Sequence, residues 1–177
     1  MTIVCGYRDR EGAVWIGTDS RTTGGSFIFP EAADKIVRYG RWTLGHSGQG
    51  SGIDLLRRKG GVIAEARTPE DVAEILQALY KEADFRKMPD DNGAPDYAQN
   101  TILASADSLC GIYGDGSIIV PSWGFLAIGS GSPYAYGAAF ALRDYVDAGR
   151  VIVMEALEAA AAFNSDCGGE LKLLRVE

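Results

Sequence analysis

Surplus cationic charge, paired cysteines, clustered histidines and long apolar runs are all missing from this chain. Its 177 residues carry 17 Lys and Arg against 24 Asp and Glu, a net charge of -7. No excess of basic side chains exists to neutralise phosphates, which argues against nucleic acid or an anionic membrane as the main partner. Histidine occurs once, as His46, and cysteine three times, as Cys5, Cys110 and Cys167. The cysteines are odd in number, far apart and without metal-ligand spacing, so neither a disulfide framework nor a zinc site is expected. No apolar run approaches the ~18 residues that span a bilayer, and the basic-then-apolar opening of a signal peptide is absent. These absences leave a soluble, cytoplasmic protein, with residues 1–177 as a single domain.

The residues present alternate between strand and helix patterns. Thr2-Ile3-Val4-Cys5-Gly6-Tyr7 reads as a strand, Arg8 to Gly12 as a polar turn, and Ala13 to Gly17 as the returning strand of a hairpin. Thr18 to Ile28 is polar and glycine-bearing and suits a loop beside a site. Pro30 breaks the pattern before Asp34 to Tyr39 and Trp42 to Gly45, the third and fourth strands. The glycine-rich His46-Ser47-Gly48-Gln49-Gly50-Ser51-Gly52 leads into a helix at Ile53 to Arg58. A turn of that kind exposes backbone N–H groups to a phosphate, a carboxylate or a developing oxyanion, and the spacing of a phosphate loop is absent. Thr68-Pro69-Glu70-Asp71 opens a helix that runs to about Phe85, with Val72, Ile75, Leu76 and Leu79 on one face.

Met88 to Asp96 reads as a polar loop, followed by strands at Thr101 to Ser105, Leu109 to Tyr113, Ser117 to Val120 and Phe125 to Ile128. Helices follow at Tyr134 to Asp147 and Val151 to Phe163, the second closed by Gly168-Gly169, and Leu171 to Val176 is a last strand. Helices that come in pairs between groups of strands do not make βαβ units. They suit two antiparallel sheets stacked between two helical layers, an α+β fold of four αββα layers.

One short stretch can hold a nucleophile and its base together. If Met1 is removed, Thr2 carries a free α-amine beside its hydroxyl, and an amine with a reference pKa near ~8 accepts the hydroxyl proton at neutral pH. By itself Thr-Ile-Val is ordinary strand material.

The wider pattern resembles the proteasome β-subunit family, including the bacterial peptidase subunit of the HslV type. The likeness rests on Thr2-Ile3-Val4, Gly12 through Asp19-Ser20-Arg21 with Thr23, Gly25-Ser26 and Ile28, then Lys35, Leu44 to Gly50, Gly114-Asp115-Gly116 with Pro121, Leu126 to Ala135, and Gly168-Gly169. These stretches stand in the family's order across nearly the whole chain. The resemblance implies an N-terminal-nucleophile (Ntn) hydrolase with the αββα sandwich, in which Thr2 attacks a peptide carbonyl without cofactor or metal. Lys35 takes the place of the family lysine, whose ammonium lowers the pKa of the neighbouring amine. Asp19 matches the acid that orients the lysine, and Arg21 is assigned to holding the loop. Gly48 matches the oxyanion donor, with Gly50 as its rival on spacing, and Ser130 falls on the serine that helps relay a proton. Thr23 and Ser47 would line the cleft and contact an extended substrate through the backbone. His46 lies near that cleft and receives no catalytic role.

Two departures stand beside these matches. Counting back from Gly168-Gly169 puts Asn164 at the family's acid and Cys167 at its hydroxyl residue, with Asp166 two residues out of register. At the start, different spacings point to Met1, Thr2 or Ile3 as the nucleophile position. Thr2 alone has a hydroxyl, and a one-place shift would turn the side chain to the other face of the strand. The resemblance also implies a homo-oligomeric ring that takes unfolded polypeptide, with an AAA+ ATPase unfoldase as partner. The alternatives are a catalytically inactive ring or scaffold subunit and an Ntn amidase acting on a small-molecule amide.

Overall fold

The computed structural model describes residues 2–24, 27–29, 33–85, 87–89 and 95–177. Met1, Gly25-Ser26, Pro30 and the centre of the 88–96 segment lie outside the described residues. The chain runs β1 (Val4–Arg8), β2 (Val14–Asp19), β3 (Thr22–Gly24), β4 (Phe27–Phe29), β5 (Ile36–Tyr39), β6 (Trp42–Ser47) and α1 (Gly50–Lys59). A 3₁₀ segment (Gly60–Glu65) leads to α2 (Pro69–Glu82), β7 (Met88–Pro89), β8 (Pro95–Asp96), β9 (Asn100–Ala104), β10 (Leu109–Ile112), β11 (Ile118–Ile119) and β12 (Phe125–Ile128). The chain ends with α3 (Ser132–Leu142), α4 (Gly149–Phe163) and β13 (Leu171–Val176).

Period-2 alternation in β1 divides its side chains between two interiors. Val4 enters a core with Ile16, Ile102 and Ile128, between two sheets. Ile3, Cys5 and Tyr7 enter another with Ala135, Ile152 and Leu157, between one sheet and the helices α3 and α4. A third core packs Trp42, Leu44 and Leu103 against Leu56, Val72 and Leu76 of α1 and α2. Three apolar interiors between four layers make the αββα sandwich that the element order predicts. The sheet orders are β12-β1-β2-β13 and β11-β10-β9-β6-β5, all neighbours antiparallel. Gly45 permits the close approach of the two sheets, because a Cβ there would meet Val4 Cγ1 and Ile16 Cδ1.

Local chemistry explains the helix ends. Thr68 Oγ1 accepts from Asp71 N at 3.2 Å while Asp71 Oδ2 accepts from Thr68 N at 2.9 Å, a reciprocal cap of the kind worth ~1 kcal/mol. The α2 helix ends at Glu82, before Phe85, which still packs on the same core. The expected loop at 18–28 is instead the end of β2 followed by the small hairpin β3–β4, with Thr23 opposite Ile28. Gly168-Gly169 does not close α4. Asn164 caps that helix, and the two glycines, at φ 141° and 75°, turn the chain into β13. The 88–96 segment contains the short ladder of β7 with β8.

Antiparallel pairing brings many strand ends to one edge of the sandwich. The starts of β1, β5, β9 and β13 and the ends of β2, β6 and β12 lie together there, through the pairs Val4–Ile128, Val4–Thr18, Asp19–Leu171, Ile36–Gly45 and Ser47–Asn100.

Candidate active site

At that edge Thr2, two residues ahead of β1, meets the last residue of β2 and the residue just before β5. Thr2 Oγ1 donates to Asp19 Oδ1 at 2.6 Å, and Lys35 Nζ donates to the same oxygen at 2.6 Å. Ile3 N adds a third donor to Oδ1 at 3.1 Å, and Gly168 N donates to Oδ2 at 2.9 Å. Asp19 is 0% exposed, so this buried carboxylate has both oxygens occupied. Lys35 also donates to the Arg21 carbonyl at 2.7 Å. Burial pulls the Lys35 ammonium below its ordinary pKa, and the Asp19 charge and hydrogen bond act in the opposite sense.

The Thr2 hydroxyl is brought to the Asp19–Lys35 pair, while the Ile3 side chain lies in the core against α3 and α4; Met1 lies outside the described residues. The Thr2 carbonyl accepts from Gly131 N at 3.4 Å, which holds the segment preceding β1 against the turn after β12.

A cleft of about 100 Å³ opens beside these groups, lined by Thr2, Thr23, Lys35, His46, Gly48 and Gly50 among others. His46 N donates to the Lys35 carbonyl at 2.9 Å. Two residues on, Gly48 lies just beyond the end of β6, and its N–H makes no hydrogen bond to the described residues. Gly48 has φ 147°, and a Cβ there would lie 2.6 Å from the Ala98 carbonyl oxygen. A Cβ at Gly50 would meet nothing within 4 Å. The backbone therefore demands glycine at the first position and only tolerates it at the second. A larger hollow of about 420 Å³, between Arg8, Pro69 and Leu109, brings no comparable nucleophile–cation cluster together.

Other expected residues take different places. Ser47 is buried beside Gly129, whose Cβ position is 2.9 Å from Ser47 Oγ, and is not part of the cleft wall. The Ser130 hydroxyl faces Cys167 Sγ at 3.9 Å. Burial, and after it the Asp19 charge, raises the Cys167 thiol to about 11, so it stays protonated at neutral pH. Asn164 Nδ2 donates to the Ser130 carbonyl at 2.7 Å and its Oδ1 accepts from Asp166 N at 2.9 Å, so the amide serves the turn and supplies no charge. Asp166 acts on Cys167 as a weaker charge that raises its pKa. Arg21 ties the same turn, donating from Nη1 to the Ser165 carbonyl at 2.8 Å and from N to the Gly168 carbonyl at 3.0 Å.

Sequence reasoning missed two contributors. The Gly168 N–H is a backbone donor whose partner no side-chain pattern reveals. Gln99, buried beneath the glycine turn, belongs to no motif.

A threonine hydroxyl just ahead of an internal strand, a buried lysine–aspartate pair and a glycine turn, set in an αββα sandwich, are the makings of a hydrolase of the Ntn class. Comparison with solved structures gives the same fold. Thiobacillus denitrificans BPH matches with TM-score 0.80 at 23% identity, over 99% of this chain and 97% of that one. It has also been solved in complex with epoxomicin, where the TM-score is 0.80, the identity 22% and the coverage 99% and 98%. Eukaryotic HslV from Trypanosoma brucei matches with TM-score 0.73 at 21% identity, over 99% of each chain. No protein-family model matches the sequence. The ATP-dependent protease subunit HslV of Aquifex aeolicus is 31% identical over 156 residues, covering 86% of this chain and 85% of that protein. The chain belongs to the HslV/proteasome β-subunit family of Ntn hydrolases.

Proposed function

We propose that this chain is the threonine peptidase subunit of a self-compartmentalising ring protease, with Thr2 as its nucleophile once Met1 is removed. The observation that carries the reading is the meeting of the Thr2 hydroxyl with the buried Asp19–Lys35 pair, beside a cleft into which Gly48 brings an uncommitted N–H. In this mechanism Thr2 Oγ attacks the carbonyl carbon and its proton passes to the α-amine. The Lys35 ammonium disfavours the protonated amine and keeps it basic. The oxyanion of the tetrahedral intermediate takes the Gly48 N–H, and the amine returns the proton to the leaving nitrogen. Water then hydrolyses the ester on Thr2. Asp19 holds Lys35 and the hydroxyl in register, Thr23 borders the substrate path, and Ser130 lies at the turn behind the amine. Arg21, Asn164 and Asp166 support that turn.

The assembly we propose is a cytoplasmic homo-oligomeric ring of single-domain subunits, fed with unfolded polypeptide by an AAA+ ATPase. The name of the Aquifex relative, an ATP-dependent protease subunit, supports that partner. No described helix is long and apolar enough to cross a membrane. The inactive-subunit and small-amide readings have no observation in their favour: Asn164, which prompted the first, is occupied in a turn.

Intact mass of the purified protein, before and after epoxomicin, tests the reading. The expected result is loss of Met1 and one adduct per chain, both the adduct and peptide hydrolysis being abolished by Thr2→Ala. Retained Met1 in an active preparation, or unchanged turnover in Thr2→Ala, would sink it.

A further inference from the structure

Gln99 is 1% exposed although it ends in an amide. It immediately precedes β9, and the pairing of Ser47 with Asn100 brings it opposite Gly48. Ala98 before it is left-handed at φ 52°, a conformation that favours glycine and here redirects the chain under the cleft turn. The Gln99 amide oxygen accepts from His46 Nε2 at 2.8 Å, and the other ring nitrogen of His46 meets Thr101 Oγ1 at 3.4 Å. That same amide oxygen lies 2.5 Å from the Cβ position of Gly48 and closer still to that of Gly52. Only because both positions are glycine does one amide fit beneath the cleft turn and the first turn of α1 together. Its Nε2 is buried with no partner among the described residues. An apolar side chain of equal length would fill the space without stranding a donor, so packing alone does not account for an amide here.

We infer that Gln99, through its bond to His46, is a positioning residue that fixes the Gly48 turn so that its N–H meets the oxyanion. The inference rests on the proposed roles of Thr2 and Gly48. The His46–Gln99 bond joins the end of β6 to the start of β9, and both side chains bear on Gly52 of α1. The turn is thus held from three elements. Loss of the bond frees it to shift, and a displacement of ~1 Å at such a donor costs on the order of 100-fold in rate.

The test uses the assembled protein and Gln99→Met, which keeps the length and removes the bond. For a short fluorogenic peptide, kcat is expected to fall ~10- to 100-fold, below the ~100- to 1000-fold loss of a whole oxyanion donor, with KM within about threefold. A peptide aldehyde, whose hemiacetal oxygen takes the oxyanion position, should lose affinity by the same factor. A reduced-amide peptide of the same sequence has no carbonyl at that position and should bind unchanged. Gln99→Glu keeps an acceptor for His46 and should restore most of kcat. Wild-type kcat in Gln99→Met, equal weakening of both inhibitors, or failure of both variants to assemble would overturn the inference. Hydrolysis surviving in Thr2→Ala, or an aldehyde that does not inhibit the wild type, would instead overturn the reading on which it rests.

Discussion

Replacing Asp19 by asparagine should separate what the buried ion pair does for the fold from what it does for hydrolysis. Oδ1 collects three donors, from Thr2, Ile3 and Lys35, so an amide oxygen will stay on that side. The new NH2 then faces the Gly168 N–H, leaving two buried donors opposed where Oδ2 had accepted at 2.9 Å. Lys35, with a side chain 9% exposed, loses its counter-charge and keeps the Arg21 carbonyl. Breaking a buried pair at one partner typically costs ~3–5 kcal/mol, because the remaining charge is uncompensated. At ~2–4 °C per kcal/mol for a chain of this size, Tm should fall by about 6–20 °C in calorimetry. Peptide hydrolysis should fall to background. The double variant Asp19→Asn with Lys35→Met removes the stranded charge, so it should recover part of the lost Tm while hydrolysis stays at background. A Tm within ~3 °C of wild type for the single variant, or a double variant that is less stable than the single, would refute the reasoning.

Two further outcomes follow from the same site. Burial holds His46 neutral, with its pKa lowered from 6.5 to about 4. A lowered pKa in the folded state gives stability that is present above 6.5 and lost as pH falls through about 4. A shift of that size is worth ~3 kcal/mol. Urea melts at pH 7 and pH 4 should show that loss, and His46→Gln should flatten it. Gly48→Ala should lower kcat by ~100-fold or more and reduce stability, since the Cβ would press on the Ala98 carbonyl, whereas Gly50→Ala should stay within about threefold in peptide turnover.

Much of the sandwich was legible because its signals are local. The alternation in β1 and β2, the Thr68 cap of α2 and the apolar run of β13 each specify an element from neighbouring residues. The hairpin β3–β4 was not legible, because its threonines and glycine read as loop and its pairing involves only Thr22–Gly24 with Phe27–Phe29. The end of α4 was misread because glycines mark helix ends as often as turns, and here the Asn164 cap comes first. In the site, the side chains of Thr2, Asp19 and Lys35 could be named from order and spacing. Strand phase turns the Ser47 hydroxyl toward the other sheet, a direction the glycine-rich stretch around it does not reveal. The Gly168 N–H and Gln99 stayed hidden, one being backbone and the other a neutral amide whose meaning comes only from what lies above it.

The strand that follows Thr2 is not an edge strand: β1 lies between β2 and β12, and the Asp19 carboxylate takes the Gly168 N–H. The Thr2 site therefore depends on a turn that lies 149 positions beyond Asp19 in the chain. During synthesis the Thr2 hydroxyl emerges ahead of β12 and the Gly168 turn, and it is not held in place until both have left the ribosome. Topology thus acts as a clock: the Thr2–Asp19–Lys35 arrangement is complete only once the strands and the turn that frame it are all in place.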